Sequence, residues 1–426
     1  MVRVLSLAAF SLLVFACSGE SNKKKSSTGT GDSTQGDSGG DVIGTSDGDL
    51  TGTSDGDASG TGGTTGEVDG SDNGGTDEST TTGSNCLEID CPTLSPAEDL
   101  PAVRALHSAT LLQNGKVLVV GGSDEKDWPQ STSYLYDPGA DSWKKTGNLN
   151  NPRESHTASR MGDGRVLVAG GNAFSPTKST ELYDPSNGSW TDAGELSTGR
   201  AGHTSTALSD GSVLISGGFS PGNQVSTERF DGSAWTMAGD MNEARANHAA
   251  SLMADGRVLA TGGSDKSGSG AKSAEIYDPN TGVWTATTPM KEVRYRHTST
   301  TMADGRVLIA GSISSEVIEI FDPATEQWTS TGSMGAERYN HSATRMADGS
   351  ILVVGGWRPT TLAKAGEIEL YDVQSGEWNQ VAVLSSPREE HTTTYLGDND
   401  GRVLIVGGRG QEGNLDSVLL VFPATE

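Results

Sequence analysis

The chain has 426 residues, of which 58 are glycine, and it carries a formal net charge of −26. A charge this negative argues against nucleic acid as a partner, because phosphate backbones are recognised by basic surfaces. The sequence also contains no zinc-ligand spacing and no phosphate-binding loop.

The first seventeen residues resemble a bacterial secretion signal. Arg3 precedes an apolar run from Val4 to Ala16 that is too short to span a bilayer. The run ends in Val14-Phe15-Ala16-Cys17, which resembles the lipobox at which a lipoprotein precursor is cleaved. We therefore expect residues 1–16 to be a signal peptide and Cys17 to be the lipid attachment site. An ordinary signal peptide with an incidental cysteine is the alternative.

Residues 17–85 are dominated by Gly, Ser, Thr and Asp. With almost no apolar side chains, this stretch is expected to remain a disordered acidic linker rather than to bind calcium. Ser18 after the lipidated cysteine resembles lipoproteins sent to the outer membrane, so we expect display at the outer membrane or cell surface. Cys86 and Cys91 have no neighbouring His or further Cys, which favours a disulfide over a metal pair in an oxidising envelope.

The rest of the chain is built from a repeated unit. An Arg-x-x-His motif recurs seven times and uses every histidine, at Arg104/His107, Arg153/His156, Arg200/His203, Arg245/His248, Arg294/His297, Arg338/His341 and Arg388/His391. Each motif is followed by an Asn-Gly or Asp-Gly pair, an apolar run and, in six units, a glycine pair; the fifth unit has Gly311-Ser312 instead. A Tyr/Phe-Asp step and then a Trp complete the first six units.

This unit predicts a four-stranded antiparallel sheet. A short apolar strand, a tight Asn/Asp-Gly turn and a second strand such as Val166 to Ala169 form a hairpin. A third strand ends at the Tyr/Phe-Asp step, and the Trp opens the fourth. One such sheet cannot bury both of its faces alone, but sheets stacked radially can, with the Trp residues packed between blades.

The glycine pair, the Tyr, the Trp and the Arg before the first strand resemble the Kelch repeat over residues 92–426, and the signatures of WD40 repeats are absent. The resemblance implies an all-β fold in residues 86–426, a seven-bladed β-propeller with four antiparallel strands per blade. The seventh unit stops after its third strand, Ser417 to Phe422. Counting back from Arg104 places Leu94 and Leu100 at the Trp and Leu/Met positions of a fourth strand. Residues 92–100 are therefore predicted to complete blade seven and close the ring.

The loops between strands two and three and between strands four and one share one face of such a ring, and binding is usually placed on variable loops of this kind. The binding candidates are four loop aromatics and four residues near the channel mouth of blades five and six: Trp128, Phe174, Phe219, Trp357, Tyr295, Arg296, Tyr339 and Asn340. Packing of each aromatic under its own loop is the alternative. Paired guanidinium groups near the mouth would suit a carboxylate-bearing ligand, although Arg294 and Arg338 recur in every unit and are expected to be structural.

Enzymes are the other class to consider. Galactose-oxidase-like copper enzymes share this propeller but need a Tyr–Cys cross-link and His ligands, whereas the repeat region has no Cys and its His residues all belong to the repeat. We therefore expect no catalytic residue, no metal and no cofactor. The sequence favours a monomeric, non-enzymatic binding protein displayed at the cell envelope, with an unknown protein or glycan as partner and membrane contact through the lipid anchor alone. A carbohydrate-active hydrolase or epimerase, with carboxylates gathered from different blades, is the alternative.

Overall fold

The computed structural model describes residues 92–397 and 400–422. Within them it contains seven four-stranded antiparallel sheets and two short two-stranded hairpins, and no helix that is long and apolar enough to cross a membrane. The predicted signal peptide 1–16, the lipid site Cys17, the linker 17–85 and the Cys86–Cys91 disulfide lie outside the described residues, as does the predicted domain boundary at residue 86.

Blades one to three each use four consecutive strands. They are β2 (Ser108–Leu111), β3 (Val117–Val120), β4 (Ser133–Asp137) and β5 (Ser142–Lys145) in blade one; β6 (Thr157–Arg160), β7 (Val166–Ala169), β8 (Ser179–Asp184) and β9 (Ser189–Glu195) in blade two; and β10 (Thr204–Ala207), β11 (Val213–Ser216), β12 (Gln224–Phe230) and β13 (Trp235–Arg245) in blade three.

Blades four to six repeat this order, and blade six has an extra hairpin in its strand two–three loop. They are β14 (Ala249–Leu252), β15 (Val258–Thr261), β16 (Ala274–Asp278) and β17 (Val283–Ala286); β18 (Thr298–Thr301), β19 (Val307–Ala310), β20 (Val317–Asp322) and β21 (Gln327–Ser333); and β22 (Ser342–Arg345), β23 (Ile351–Val354), β26 (Glu367–Tyr371) and β27 (Trp378–Val383), with the hairpin β24 (Trp357–Arg358) and β25 (Ala363–Lys364).

Blade seven joins the two ends of the described chain. Its strands are β28 (Thr392–Tyr395), β29 (Val403–Val406) and β32 (Val418–Phe422), with the hairpin β30 (Arg409–Gly410) and β31 (Gly413–Asn414) and, as the fourth and outermost strand, β1 (Thr93–Pro96). β1 pairs antiparallel with β32, from Thr93 opposite Phe422 to Pro96 opposite Leu419. The predicted closure is confirmed, although the strand is shorter than 92–100. Beyond Pro96, single hydrogen bonds from Ala97 and Leu100 to blade seven continue the contact.

The first strands pack against one another around the central channel, and here the sequence prediction needs a correction. They were predicted to be apolar, but they are rich in hydroxyl side chains, as in Thr204–Ala207 and Thr392–Tyr395. Hydroxyls suit this position because they bond across blades: Ser159 Oγ lies 2.5 Å from Ser205 Oγ, for example. The second strands are the fully buried ones in all seven blades.

The hydrophobic core lies between blades. One cluster joins Val117 and Val119 of blade one to Leu404 and Val406 of blade seven. In blades one to six the Tyr or Phe at the end of the third strand and the Trp of the fourth strand lie with ring centroids 4.9–5.1 Å apart. Most of these indoles also donate to the preceding blade, as Trp190 Nε1 does to the Gly147 carbonyl at 2.9 Å. The expected packing of the Trp residues between blades is confirmed.

The glycine pair forms the joint between neighbouring blades. Gly170 has φ +58°, and a Cβ there would lie 2.5 Å from the Arg200 carbonyl oxygen of the next blade. Gly171 donates its N–H to that same carbonyl at 2.8 Å. A side chain at Gly170 would separate the blades, which explains the repeat of glycine at this position.

Candidate binding face

The end of the ring that carries the strand two–three and four–one loops is here called the loop face. In most blades the residue after the repeat arginine forms a β-bridge with the residue after the glycine pair, as Ala201 does with Phe219 and Tyr339 with Trp357. The two kinds of loop are therefore tied together. Residues at these equivalent positions vary between blades, while the backbone that presents them does not.

The seven repeat arginines are structural. Each is at most 1% exposed. Its Nη1 donates to the carbonyl of the first glycine of the pair, as Arg200 does to Gly217 at 2.8 Å, or to that of Gly311 in blade five, which has no glycine pair. In blades two to six its Nη2 also meets a buried glutamate of the third strand, such as Glu228 at 2.8 Å. That carboxylate in turn accepts the backbone N–H of Ser197, which anchors the strand four–one loop. Arg294 and Arg338 belong to this set, so their guanidinium groups do not reach a ligand.

The seven repeat histidines are structural as well. These residues are 6–8% exposed. In six of them Nε2 lies within hydrogen-bond distance of the hydroxyl that opens the first strand of the preceding blade, as in His203 with Thr157 at 2.9 Å. Blade four has Ala249 at that position, and His297 instead meets Thr261 Oγ1 at 2.8 Å. Burial, followed by the adjacent arginine, lowers the pKa of His203 to about 3, so the ring is neutral at physiological pH.

Two residues lie between each repeat Arg and His. The second of them, taken from all seven blades, forms a ring around the channel mouth. This mouth ring consists of Leu106, Ser155, Gly202, Asn247, Arg296, Asn340 and Glu390, all with φ between 51° and 61°. Their backbones are linked from blade to blade, since Arg296 donates to the Asn247 carbonyl at 3.0 Å and Asn340 donates to that of Arg296 at 3.1 Å. Six non-glycine residues in this unfavourable backbone region mark a rigidly held mouth.

Arg296 is the one guanidinium of blades five and six that lies at the mouth. Its Nη1 is 3.3 Å from Asn340 Oδ1 and 3.7 Å from Glu390 Oε1, and its guanidinium stacks 5.4 Å from the centre of the Tyr295 ring. Tyr339 contributes from the neighbouring position of blade six, and burial raises the pKa of its hydroxyl. The structure therefore brings together four of the predicted mouth residues, but Arg296 already has a partial counter-charge.

A charge network across blades seven and one was missed by the sequence reasoning. Arg409 Nη2 bonds to Asp127 Oδ1 at 2.8 Å, and its Nε lies 3.3 Å from Glu390 Oε2. Glu389 accepts from Asn340 Nδ2 at 2.9 Å. The sequence did contain a sign of this network. Glu389 and Glu390 lie between the repeat Arg and His of blade seven, at the positions that Tyr295 and Arg296 occupy in blade five.

Glu154 is the mouth carboxylate without a cation in ion-pair contact among the described residues. Burial and the negative charge of Glu390 raise its pKa to about 7. The Glu154 carboxyl group also accepts a hydrogen bond from the Ser123 side chain, and with this pKa it exchanges its proton near neutral pH.

The loop aromatics are distributed unevenly. Trp128 and Phe174, from neighbouring blades, meet edge to face at 5.7 Å while remaining 54% and 75% exposed. Phe219 is 44% exposed, whereas Trp357 is only partly exposed and has Lys364 Nζ at 5.2 Å from its ring centre. Exposed aromatics therefore lie over blades one to three, and the charged groups lie mainly on blades five to seven.

The Trp128 loop is held rigid from within. Asp124 Oδ1 accepts the backbone N–H groups of Lys126 and Trp128 at 2.9 and 3.0 Å, and its Oδ2 accepts from Gln130 at 3.1 Å. Because the polar groups of the loop satisfy one another, the indole is presented to solvent in a preorganised position.

The repeats have a recognisable family. Residues 107–312 match the family model described as the KLHDC2/KLHL20/DRC7 Kelch-repeats domain. The matched stretch, which covers blades one to four and the start of blade five, is built from Kelch repeats. The structure shows the same blade architecture on both sides of the matched stretch, from Thr93 to Phe422. A comparison with curated proteins found no match.

A solved structure with a similar fold is described as a novel fungal alcohol oxidase with catalytic diversity among the AA5 family, in complex with copper. It aligns with a TM-score of 0.66 and 19% sequence identity, covering 78% of this chain and 77% of that chain. At this identity the likeness concerns the fold alone.

The residues of this Kelch propeller do not fit copper. Protein copper sites use imidazole and thiolate ligands, but all seven histidines are committed to the blade joints and no cysteine falls within the described residues. Across residues 92–397 and 400–422, no group of three or more His, Cys, Asp or Glu side chains is arranged to hold a metal ion.

Proposed function

We propose that this protein is a non-enzymatic binding protein whose loop face takes a protein or glycan ligand. The observation that carries the proposal is the concentration of exposed apolar side chains there. Of the eight large apolar side chains that are exposed among the described residues, five lie in the strand two–three loops: Trp128, Phe174, Phe219, Ile313 and Leu362. A Kelch propeller also favours an interaction role, because its rigid blades leave the loops free to vary.

The ligand expected for this face has an apolar part and a polar part. Trp128 and Phe174 offer an exposed corner of two rings, which suits a sugar face or an aromatic or aliphatic side chain. At the channel mouth, the guanidinium of Arg296 and the carboxyl group of Glu154 offer a cation and an acidic group that can hydrogen-bond to the polar part. The proposal places this face at the cell envelope, held by the lipid at Cys17 and the acidic linker, because secretion and anchoring are what the first residues of the sequence predict.

The test is retention of a ligand by the full-length protein. Purified wild-type protein, immobilised on beads, is exposed to envelope extract and to a glycan array, beside a Trp128→Ala/Phe174→Ala double variant. We expect the double variant to retain at least tenfold less ligand, because aromatic side chains that become buried in an interface dominate binding energies. The matched control is Met237→Ala/Val283→Ala, which removes two apolar side chains that are 58% and 54% exposed but lie away from the loop face. Equal retention by both double variants would refute the proposal.

A carbohydrate-active enzyme remains the second candidate, because Glu154 has a raised pKa and faces the negative charge of Glu390 from another blade. A carboxyl group with a raised pKa is typical of the general acid of a glycosidase. Turnover of envelope glycans that disappears in Glu154→Gln, while retention of the glycan persists, would establish this candidate in place of a binding protein.

A further inference from the structure

Glu154 lies where the two loops that carry Trp128 and Phe174 meet. Its backbone forms a β-bridge with Asn172, two residues before Phe174, and its N–H donates to the Asn172 carbonyl at 3.0 Å. Its carboxyl group accepts a hydrogen bond from the side chain of Ser123, and Ser123 forms a β-bridge with the residue that follows Trp128. Glu154 is therefore tied through its backbone to one loop and through its side chain to the other.

The charges around Glu154 leave it without a cation of its own among the described residues. Arg409 is a cation whose charge acts on it, but Arg409 bonds to Asp127 at 2.8 Å and lies 3.3 Å from Glu390. Arg296 also lies close to Glu390, at 3.7 Å. Burial, followed by the negative charges of Glu390 and Asp127, raises the pKa of Glu154. A positive group supplied from outside would therefore be stabilised at this carboxylate.

The adjacent ring pair adds a second attraction for a cation. Trp128 and Phe174 meet with their ring planes at 85°, and both rings remain exposed to solvent. Two rings at a right angle form an open corner, and the negative face of an aromatic ring attracts ammonium and guanidinium groups. The aliphatic stem of a lysine or arginine side chain also packs well on apolar surface while its charged head stays hydrated or paired.

We propose that the loop face binds a protein through a lysine or arginine side chain, whose charged head pairs with Glu154 while its stem packs against Trp128 and Phe174. This inference rests on the proposed binding function of the loop face and names the class of ligand. A protein fits better than a glycan, because Ile313 and Leu362 add exposed aliphatic side chains to the same face and offer no ring on which a sugar could stack. A basic segment is also attracted over long range by a chain whose net charge is −26.

The experiment selects random linear peptides, displayed on phage, against the immobilised full-length protein. It is done at pH 8, where Glu154, with a pKa of about 7, is mostly ionised. We expect Lys or Arg to be enriched at one position of the selected peptides, next to an apolar residue. The most enriched peptide is then synthesised, and its Kd is measured by isothermal titration calorimetry. A second peptide carries norleucine in place of the basic residue, which keeps an aliphatic stem and removes the charge.

Glu154→Gln tests the pairing, since the amide has nearly the same size and its oxygen can still accept from Ser123. We expect the Kd of the basic peptide to weaken about tenfold in this variant, and that of the norleucine peptide to change less than about twofold. The matched control is Glu125→Gln, which removes an exposed carboxylate of the Trp128 loop that lies 3.8 Å from Lys126. It should leave the Kd of both peptides within about twofold of wild type. The far-UV circular dichroism of both variants should match that of the wild type.

Several outcomes would overturn this inference. Selected peptides without enriched Lys or Arg would do so, as would an equal effect of Glu154→Gln on the Kd of both peptides. An equal loss in Glu125→Gln would show diffuse attraction rather than a pairing with Glu154. Failure to select any peptide would overturn the assignment to a protein, including the case in which amine-bearing sugars are retained on the glycan array instead.

Failure of this inference can be told apart from failure of the loop-face proposal. If Trp128→Ala/Phe174→Ala loses retention while Glu154→Gln does not distinguish the two peptides, the binding face stands and only the basic ligand is refuted. If Trp128→Ala/Phe174→Ala retains as much ligand as its control, the loop-face proposal is refuted and this inference with it.

Discussion

Seven buried neutral histidines make the stability of this propeller sensitive to mild acid. Burial, followed by the adjacent arginine, lowers the pKa of four of them to about 3 (His107, His203, His248 and His341). The pKa of the other three is also lowered well below its ordinary value. An unfolded histidine has a pKa of about 6.5. A basic group with a lowered pKa in the folded state contributes stability above pH 6.5, and that contribution is lost as the pH falls from 6.5 toward 3.

The size of the effect follows from the number of histidines. At pH 5.5 most unfolded histidines are protonated, and keeping one neutral in the folded state costs about 1.4 kcal/mol. Seven together reduce the free energy of unfolding by about 10 kcal/mol, which is comparable with the whole stability of a typical domain. Glu154, whose raised pKa acts in the opposite direction, is one group against seven. The protein should therefore lose much of its unfolding free energy as the pH falls from 6.5 toward 5.

Urea unfolding followed by far-UV circular dichroism at pH 7.5, 6.5 and 5.5 measures this dependence. The slope of the unfolding free energy at pH 5.5 should correspond to uptake of about six protons. Because the chain contains seven histidines and all belong to the repeat, no other histidine contributes to the slope. His203→Gln should remove one proton from it, whatever its effect on stability. A change of less than about 1.4 kcal/mol between pH 7.5 and 5.5 would refute the reasoning, because it would mean that fewer than one histidine is held neutral.

Two further outcomes test the construction of the ring. Deleting residues 92–100 removes the fourth strand of blade seven and exposes β32, so the melting temperature should fall by about 10 °C or more. The milder Leu100→Ala, at a side chain that is 2% exposed, should cost about 2–4 kcal/mol; an unchanged melting curve in both variants would contradict the closure. Thr261→Ala removes the hydroxyl group that lies 2.8 Å from Nε2 of the blade-five histidine, His297, and should cost about 1–3 kcal/mol in urea unfolding. Adding Ala249→Thr places a hydroxyl where other blades carry it and should restore part of that loss; equal stability of Thr261→Ala and wild type would contradict the pairing.

The sequence was sufficient to predict the fold because each blade carries the same markers at the same spacing. The Arg-x-x-His motif, the glycine pair and the Trp fix the register of a blade independently of its neighbours, and Leu94 and Leu100 could be placed by counting alone. The first strands were misjudged as apolar, because their neighbours across the channel are first strands of other blades. Alternation along one strand does not reveal that a hydroxyl such as Ser159 meets another such as Ser205.

The candidate site was harder to predict, since its contacts join residues far apart in the chain. Trp128 and Phe174 were identified as unusual because they fall outside the repeat pattern, but their contact depends on the placement of two loops on neighbouring blades. The bond from Arg409 to Asp127 crosses the closure of the ring and cannot be inferred from spacing. Sequence reasoning therefore identified variable positions, and only the ring geometry showed which of them meet.

The closure of the ring is chemical as well as structural. In blades two to six a buried glutamate compensates the repeat arginine, but Leu419 stands at the corresponding position of blade seven, opposite Ile405. Burial lowers the pKa of Arg388 to about 10. The negative charge of Asp99, in the N-terminal segment, acts in the opposite direction and raises it. Asp99 also accepts the backbone N–H of Val418 at 3.3 Å. The segment that supplies the missing strand thus also brings a carboxylate whose negative charge acts on Arg388, so the two ends of the repeat region complete blade seven through hydrogen bonds and interact electrostatically.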